Sequence, residues 1–424
     1  MKLLFILIVF FVFLLKIINA QDINYARKII DELTSEKYHG RGYTFNGDKK
    51  AAKYIANQLK ENNVNPLGSS YFQAFNLNVN TFPSKIKLKI GDIELKSGID
   101  FMISPVSKGF NGDFEVFVID STLLNNDYDY VNILTNDCKN KFVIIDTTGV
   151  NNKERKVGIL DLAKINKFEA KGIIIVAKKI MYSVSTIESS FCKIYITSSA
   201  YYRLKLPIKS LEIKCKNKFL ENYETQNVIG LISGKSDSLI VFTSHYDHLG
   251  TMGSDVFFPG ANDNASGVSM NLNLSKYFAD IDTLKYSVAF LFFSAEEAGI
   301  LGSKYFVEHP LFPLSKIKFL INLDLVGTGD DGICIVNGAV LKREFELFNK
   351  INEDEKLVSV VKARGEAANS DHYFFYNSGV KSVFIYTLGG VAEYHNPLDI
   401  SKTLPLTRYN ELFKLLTEFV RLYE

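Results

Sequence analysis

At 424 residues the chain is long enough for more than one domain and a large buried core. Its 47% hydrophobic and 23% charged residues are ordinary for a globular protein. The 49 Lys and Arg nearly balance the 47 Asp and Glu, which excludes a charge-driven nucleic-acid or anionic-membrane partner.

Residues 1–20 read as a segment apart. Lys2 opens a short basic region, LLFILIVFFVFLL supplies an apolar core, and INA ends on a small residue before Gln21. That order predicts a secretory leader cleaved after Ala20, and so a secreted or periplasmic protein. Lys16 interrupts the apolar run short of the ~20 residues a membrane span needs, so no stable membrane insertion is expected after cleavage. Cleavage removes Lys2 and Lys16 and no acid, which leaves the mature chain with both signs in equal number.

Helical spacing follows. Ala26, Ile29, Ile30 and Leu33 suit one amphipathic helix, and Ala51, Ala52, Ile55, Ala56 and Leu59 a second, with the Gly-rich turn HGRGYTFNG between them. From about residue 85 the character changes to short strands such as FEVFVID and KFVIIDT, with a helix-like stretch around 157–170 leading into GIIIVAKK. The spacing predicts a main domain begun by residues 21–85, a β-rich insertion over 86–218, and a return to the main domain over 219–424. QNVIGLISG resumes the main sheet, and LTRYNELFKLLTEFVRLY closes the chain as a helix. Cys138, Cys192, Cys215 and Cys334 lie far apart with no CxxC spacing, which assigns no disulfide and gives no support to zinc held by sulfur.

The returning segment carries a ladder of metal-liking side chains, nearly every rung just after an apolar run: SLIVFTSHYDHLG, PGANDNASG, SVAFLFFSAEEAG, KIKFLINLDLVG and SVFIYTLGGVAEYHNPLD. Apolar runs bounded by turn residues are how buried parallel strands look in sequence. Open α/β sheets bind ligands beyond the carboxyl ends of such strands, so these rungs are expected to meet at one rim. Asp247 follows His245 by two positions, on the same face of an extended chain, where a carboxylate would orient the imidazole. Asp263 sits among glycines and small residues, a composition that also reads as a turn. Glu296 and Glu297, adjacent carboxylates directly after VAFLFF, are costly unless a cation offsets them. One of them can bind a metal while the other faces the water to be activated. Asp324 is enclosed by Leu323 and Leu325, and Pro397 stiffens the approach to His395. Together these side chains suffice for two metal ions sharing a bridging Asp, a clamp used for hydrolysis with ions about 3.5–4 Å apart. Mixed imidazole and carboxylate donors suit zinc, with manganese or cobalt as the alternatives.

The motifs HYDHLG, GANDNASG, FFSAEEAGILGSKYF, NLDLVG, NSDHYFF and YHNPLD, in this order, resemble the co-catalytic zinc aminopeptidases, metallopeptidase family twenty-eight. The resemblance covers most of 24–80 and 222–424. It implies an α/β fold, a twisted and mainly parallel central sheet with helices on both faces. It also implies that His245 and Asp324 hold one zinc, Glu297 and His395 the other, and that Asp263 bridges them. Glu296 would be the general base and Asp247 the partner of His245. The 86–218 segment resembles a protease-associated domain through KFEAKGIIIVA. The activity implied is removal of N-terminal residues from peptide substrates. The rivals are a one-zinc glutaminyl cyclase, a carboxypeptidase of the same family, and a non-catalytic receptor ectodomain on the same scaffold. Cyclase pockets tend to be lined by Trp, which this chain lacks. Asn396 stands where relatives often carry a small hydroxyl residue, and Asp371 and His372 resemble a signature near the substrate pocket. Side-chain preference and oligomeric state are not set by any of these motifs.

Overall fold

The structure, a computed structural model, describes residues 22–424, so the expected leader lies outside the described residues. The first expected helix is Ile23–Leu33, capped by the Asp22 carboxylate, which accepts from the Asn24 and Tyr25 amides. Its apolar stripe of Ala26, Ile29, Ile30 and Leu33 is buried as the spacing requires. The second is Gly47–Glu61, burying Ala51, Ala52, Ile55, Ala56 and Leu59.

The first helix packs against the helix Ser266–Ala279, and the second packs on a nine-stranded sheet. Its centre is four parallel strands, in spatial order Tyr286–Phe293, Ser236–His245, Ile317–Leu323 and Ser382–Thr387. Antiparallel neighbours flank this block: Lys218–Ile232 on one side and Ile333–Val336 on the other. The sheet is therefore mixed, with its parallel part in the middle. Alternate residues of one strand serve opposite faces. Ile240 and Phe242 join the core formed with Ile23–Leu33, Gly47–Glu61, Ser266–Ala279 and Tyr409–Leu422, whereas Leu239 and Val241 pack towards Phe306 and Phe375 of the helices Leu301–Glu308 and His372–Asn377. Burial on both faces explains why these strands read as unbroken apolar runs.

A second sheet, of eight strands, is drawn from residues within 87–214. Its middle strands, Asn111–Ile119, Lys141–Ile145, Gly172–Ala177 and Cys192–Thr197, are parallel. Helix Lys153–Lys164 covers one face through Ile159 and Ala163. The other face receives Leu249, Met252 and Phe258 from the loop that follows Ser236–His245, so this loop packs into the core of the smaller sheet. On either side of this segment the chain closes on itself, as Lys218–Ile232 pairs antiparallel with Phe72–Thr81. All four cysteines are buried and unpaired. No helix among the described residues is long and apolar enough to cross a membrane.

Candidate metal centre

The ends of the four parallel strands meet in an open cleft of about 340 Å³ that His245, Asp263, Glu296, Glu297, Asp324 and His395 all line. His245 is the last residue of its strand, Asp324 directly follows Ile317–Leu323, and Glu296 and Glu297 come three and four residues past Phe293. His245 Nε2 lies 3.3 Å from Asp263 Oδ1 and 3.4 Å from Asp324 Oδ1. His395 Nε2 lies 3.2 Å from Asp263 Oδ2 and equally far from Glu297 Oε2. Asp263 thus faces one imidazole with each of its oxygens.

Both imidazoles are oriented by main chain. His245 Nδ1 is 3.1 Å from the Asp247 carbonyl oxygen, and His395 Nδ1 is 3.1 Å from that of Tyr182. A carbonyl only accepts, so Nδ1 carries the proton and Nε2 is aimed at the carboxylates. The expected Asp247 carboxylate stands farther off, at 3.8 Å from His245 Nδ1. The strand ends at His245, so the alternation that would put both side chains on one face no longer applies. The Asp247 carboxylate instead accepts from the Glu296 amide at 3.1 Å and the Tyr43 hydroxyl at 3.3 Å, tying the His245 and Glu296 loops together.

Asp263 belongs to an irregular turn, Ala261–Ala265, leading into Ser266–Ala279. Asp399 holds the turn by accepting from the Asn262 and Asp263 amides at 2.9 and 3.1 Å. Gly260 is in the left-handed region at φ 61°, and a Cβ there would sit 2.2 Å from the Asp263 carbonyl oxygen. On Asp324, Ser370 donates to Oδ2 at 2.9 Å and receives from Asn322 at 2.8 Å, while Asn322 accepts from Thr243 at 2.7 Å. Asp324 Oδ1 is buried and makes no hydrogen bond.

Electrostatically the cleft is a concentration of buried negative charge. Burial disfavours ionised Glu296, and Asp324, Asp371 and Glu297 add to it, holding the carboxyl well above its ordinary pKa. Burial likewise pushes Asp247 and Asp371 up to about 7. It also opposes ionisation of Glu297, yet His248 and His395 overcome it and lower that group to about 2. Burial works against charge on His245 and His395 too, but the facing carboxylates win, raising His245 well above the usual range and His395 to about 10. The negative charge that raises these rings is the charge a cation would neutralise.

The donor set fits such a cation. Ligand atoms of His245, Asp263 and Asp324 lie within 4.8 Å of one another, as do those of His248, Asp263 and Glu297. All are nitrogen or carboxylate oxygen, the set expected of catalytic zinc. His248 had no place in the sequence reading: its Nδ1 is 2.7 Å from Glu297 Oε1, and its Nε2 is buried without a hydrogen-bond partner. The HYDH quartet offered the hint, but only the turn after His245 brings His248 to Glu297. Arg41, Asp399 and Ser370 were also missed. Asp371 is fully buried, and His372, pushed down to about 4 by burial, packs its ring 5.5 Å from Phe384.

Residues 227–420 match the profile of peptidase family M28. Aminopeptidase YwaD of Bacillus subtilis is 30% identical over 220 residues, which cover 49% of this chain and 47% of that protein. An aminopeptidase of Pseudomonas aeruginosa is 28% identical over 181 residues, 39% of this chain and 31% of that protein. The chain spans about half the length, or less, of these curated relatives. Two solved structures share the fold: a peptidase M28 precursor of Shewanella amazonensis (TM-score 0.70, 17% identity, 95% of this chain and 93% of that one) and the zinc aminopeptidase BSAP of Bacillus subtilis (TM-score 0.68, 22% identity, 94% of each). The matched region, residues 227–420, holds every one of the convergent imidazoles and carboxylates, and it is this region that the chain shares with peptidase family M28.

Proposed function

We propose that the chain is a zinc-dependent aminopeptidase, removing N-terminal residues from peptides by hydrolysis. The observation that carries this reading is the convergence in one open cleft of His245 and Asp324, from the ends of adjacent parallel strands, with Asp263 from the turn Ala261–Ala265 and His395 between Asp263 and Glu297. What adds to it is that two relatives similar to this chain are named aminopeptidases. His245 and Asp324 would hold one zinc, Glu297 and His395 a second, and Asp263 would touch both. Bound zinc supplies a Lewis acid for the scissile carbonyl and lowers the pKa of water. Glu296, in the same cleft and unclaimed by either imidazole, takes the proton from the attacking water and passes it to the leaving amine. His395 and His245, each fixed through Nδ1, keep the donor geometry constant while the substrate enters.

The test is a panel of aminoacyl arylamides, blocked peptides and N-terminal Gln peptides, assayed with chelator and after zinc is restored. Free-amine substrates should be cleaved, the activity should vanish with chelator and return with zinc. Release of C-terminal residues would move the chain to the carboxypeptidase reading, and pyroglutamate without cleavage to the cyclase reading.

Secretion is part of the same proposal, supported by the leader-like composition of residues 1–20. N-terminal sequencing of the exported protein should begin at Gln21, and a terminus at Met1 would refute cleavage. The 86–218 segment is read as a protease-associated-like domain, a reading supported by the separate eight-stranded sheet within it.

A further inference from the structure

The cleft also carries a cation that the proposed hydrolytic groups do not use. Its remaining wall is Leu325, Phe384, Tyr386 and Tyr394, joined by Asn369 and Arg364. Arg364 ends the edge strand Val361–Arg364, opposite Val336, and its carbonyl accepts from the Ala339 amide at 3.1 Å, so its backbone is pinned while its side chain is exposed. Lys362 shares its face by the two-residue period of a strand, and Cys334 is the register partner of both Lys362 and Tyr386. Arg364 and Tyr386 line the cleft together, and burial and the neighbouring Cys334 push the Tyr386 phenol up while Arg364 pulls against them. No ion pair joins Arg364 to an Asp or Glu among the described residues. An arginine fork in a binding cleft with no carboxylate of its own presents the bidentate geometry that a carboxylate matches.

We infer that Arg364 is a specificity-determining residue that binds a carboxylate of the substrate. The inference rests on the aminopeptidase reading of the same cleft. A carboxylate reaches it from one of two sources: the side chain of an N-terminal Glu or Asp, or the free C-terminus of a short peptide. A cleft of about 340 Å³ accommodates one residue and part of the next, so both are within its capacity.

The experiment uses the zinc-loaded full chain and two matched pairs: glutamyl against glutaminyl p-nitroanilide, and a dipeptide free acid against its C-terminal amide. Each is measured for the wild type, R364M and R364K. In one pair the wild type should favour the carboxylate member, and R364M should lower that kcat/KM ratio roughly 10- to 100-fold. R364K, which keeps the charge and loses the fork, should fall between. The pair that responds identifies the source of the carboxylate. Ratios that stay within about threefold in both pairs, or a parallel fall of both members, would overturn the inference. A wild type that cleaves none of these substrates with zinc present overturns the hydrolase reading and this inference with it.

Discussion

Glu296→Gln should lower kcat by roughly 10²–10⁴ while leaving zinc content at the wild-type level. Gln matches Glu in size, and the main chain at residue 296 is held through its amide by Asp247 at 3.1 Å, so the side chain keeps its place. What disappears is the capacity to take up and return a proton. Neither His245 nor His395 substitutes, because each commits Nδ1 to a carbonyl and turns Nε2 to the carboxylates. Removing one acid from a cleft crowded with them also relieves repulsion, so folding should not suffer. The check is kcat on a free-amine substrate alongside metal analysis of the purified variant. Activity above about a tenth of wild type would end the base assignment, and lost zinc would make Glu296 a ligand instead.

Arg41→Met should destabilise the fold by at least about 3 kcal/mol, because an unpaired buried polar group costs about 1–3 kcal/mol and this side chain satisfies several. Arg41 is wholly buried, and its guanidinium donates to the carbonyls of Tyr246 (2.8 Å), Leu33 (3.2 Å), Pro259 (2.5 Å), Gly260 (2.8 Å) and Asp263 (3.1 Å). Burial lowers its pKa to about 10, opposed by Asp263, Asp399, Asp247 and Glu297, so it remains charged at neutral pH. Its positive charge therefore offsets the acids of the cleft from beneath while its hydrogen bonds hold the turn that carries Asp263. A thermal melt should fall by on the order of 5 °C, with weaker zinc retention in the same variant. A melting temperature within about 1 °C of wild type would contradict this role.

The parallel strands and their terminal acids were legible because burial on both faces leaves continuous apolar runs, and SVAFLFFSAEE announces both strand and rim. The two leading helices were legible for the related reason that a single buried stripe repeats every 3.6 residues. Arg41, by contrast, sits in a run that reads as a plain turn. Its partners lie over 200 positions away, save Leu33, and no local pattern encodes them. Gly42 was visible only as a turn residue, yet a Cβ there would come within 2.4 Å of Gly250 Cα, so it permits the close approach that seats Arg41. His248 and Asp399 were hidden in the same way: each adjoins a recognised motif, but its partner is fixed by the path of the loop. Asp247 meets His245 through its carbonyl oxygen rather than its carboxylate, since the strand ends at His245 and the two-residue alternation does not extend to Asp247.

Tyr182, from the segment that builds the smaller sheet, grips His395 twice: its amide donates to the His395 carbonyl at 2.9 Å and its own carbonyl faces the ring nitrogen. The Tyr182 ring in turn stacks on Phe258, 4.6 Å away, in the loop running between His245 and Asp263. Shearing one sheet against the other would tug an imidazole out of line with its acids. The accessory half is thus a jig for the reactive half, and a minimal fragment trimmed to the matched region would keep its full complement of acids and imidazoles yet lose the fixture that holds one of them true.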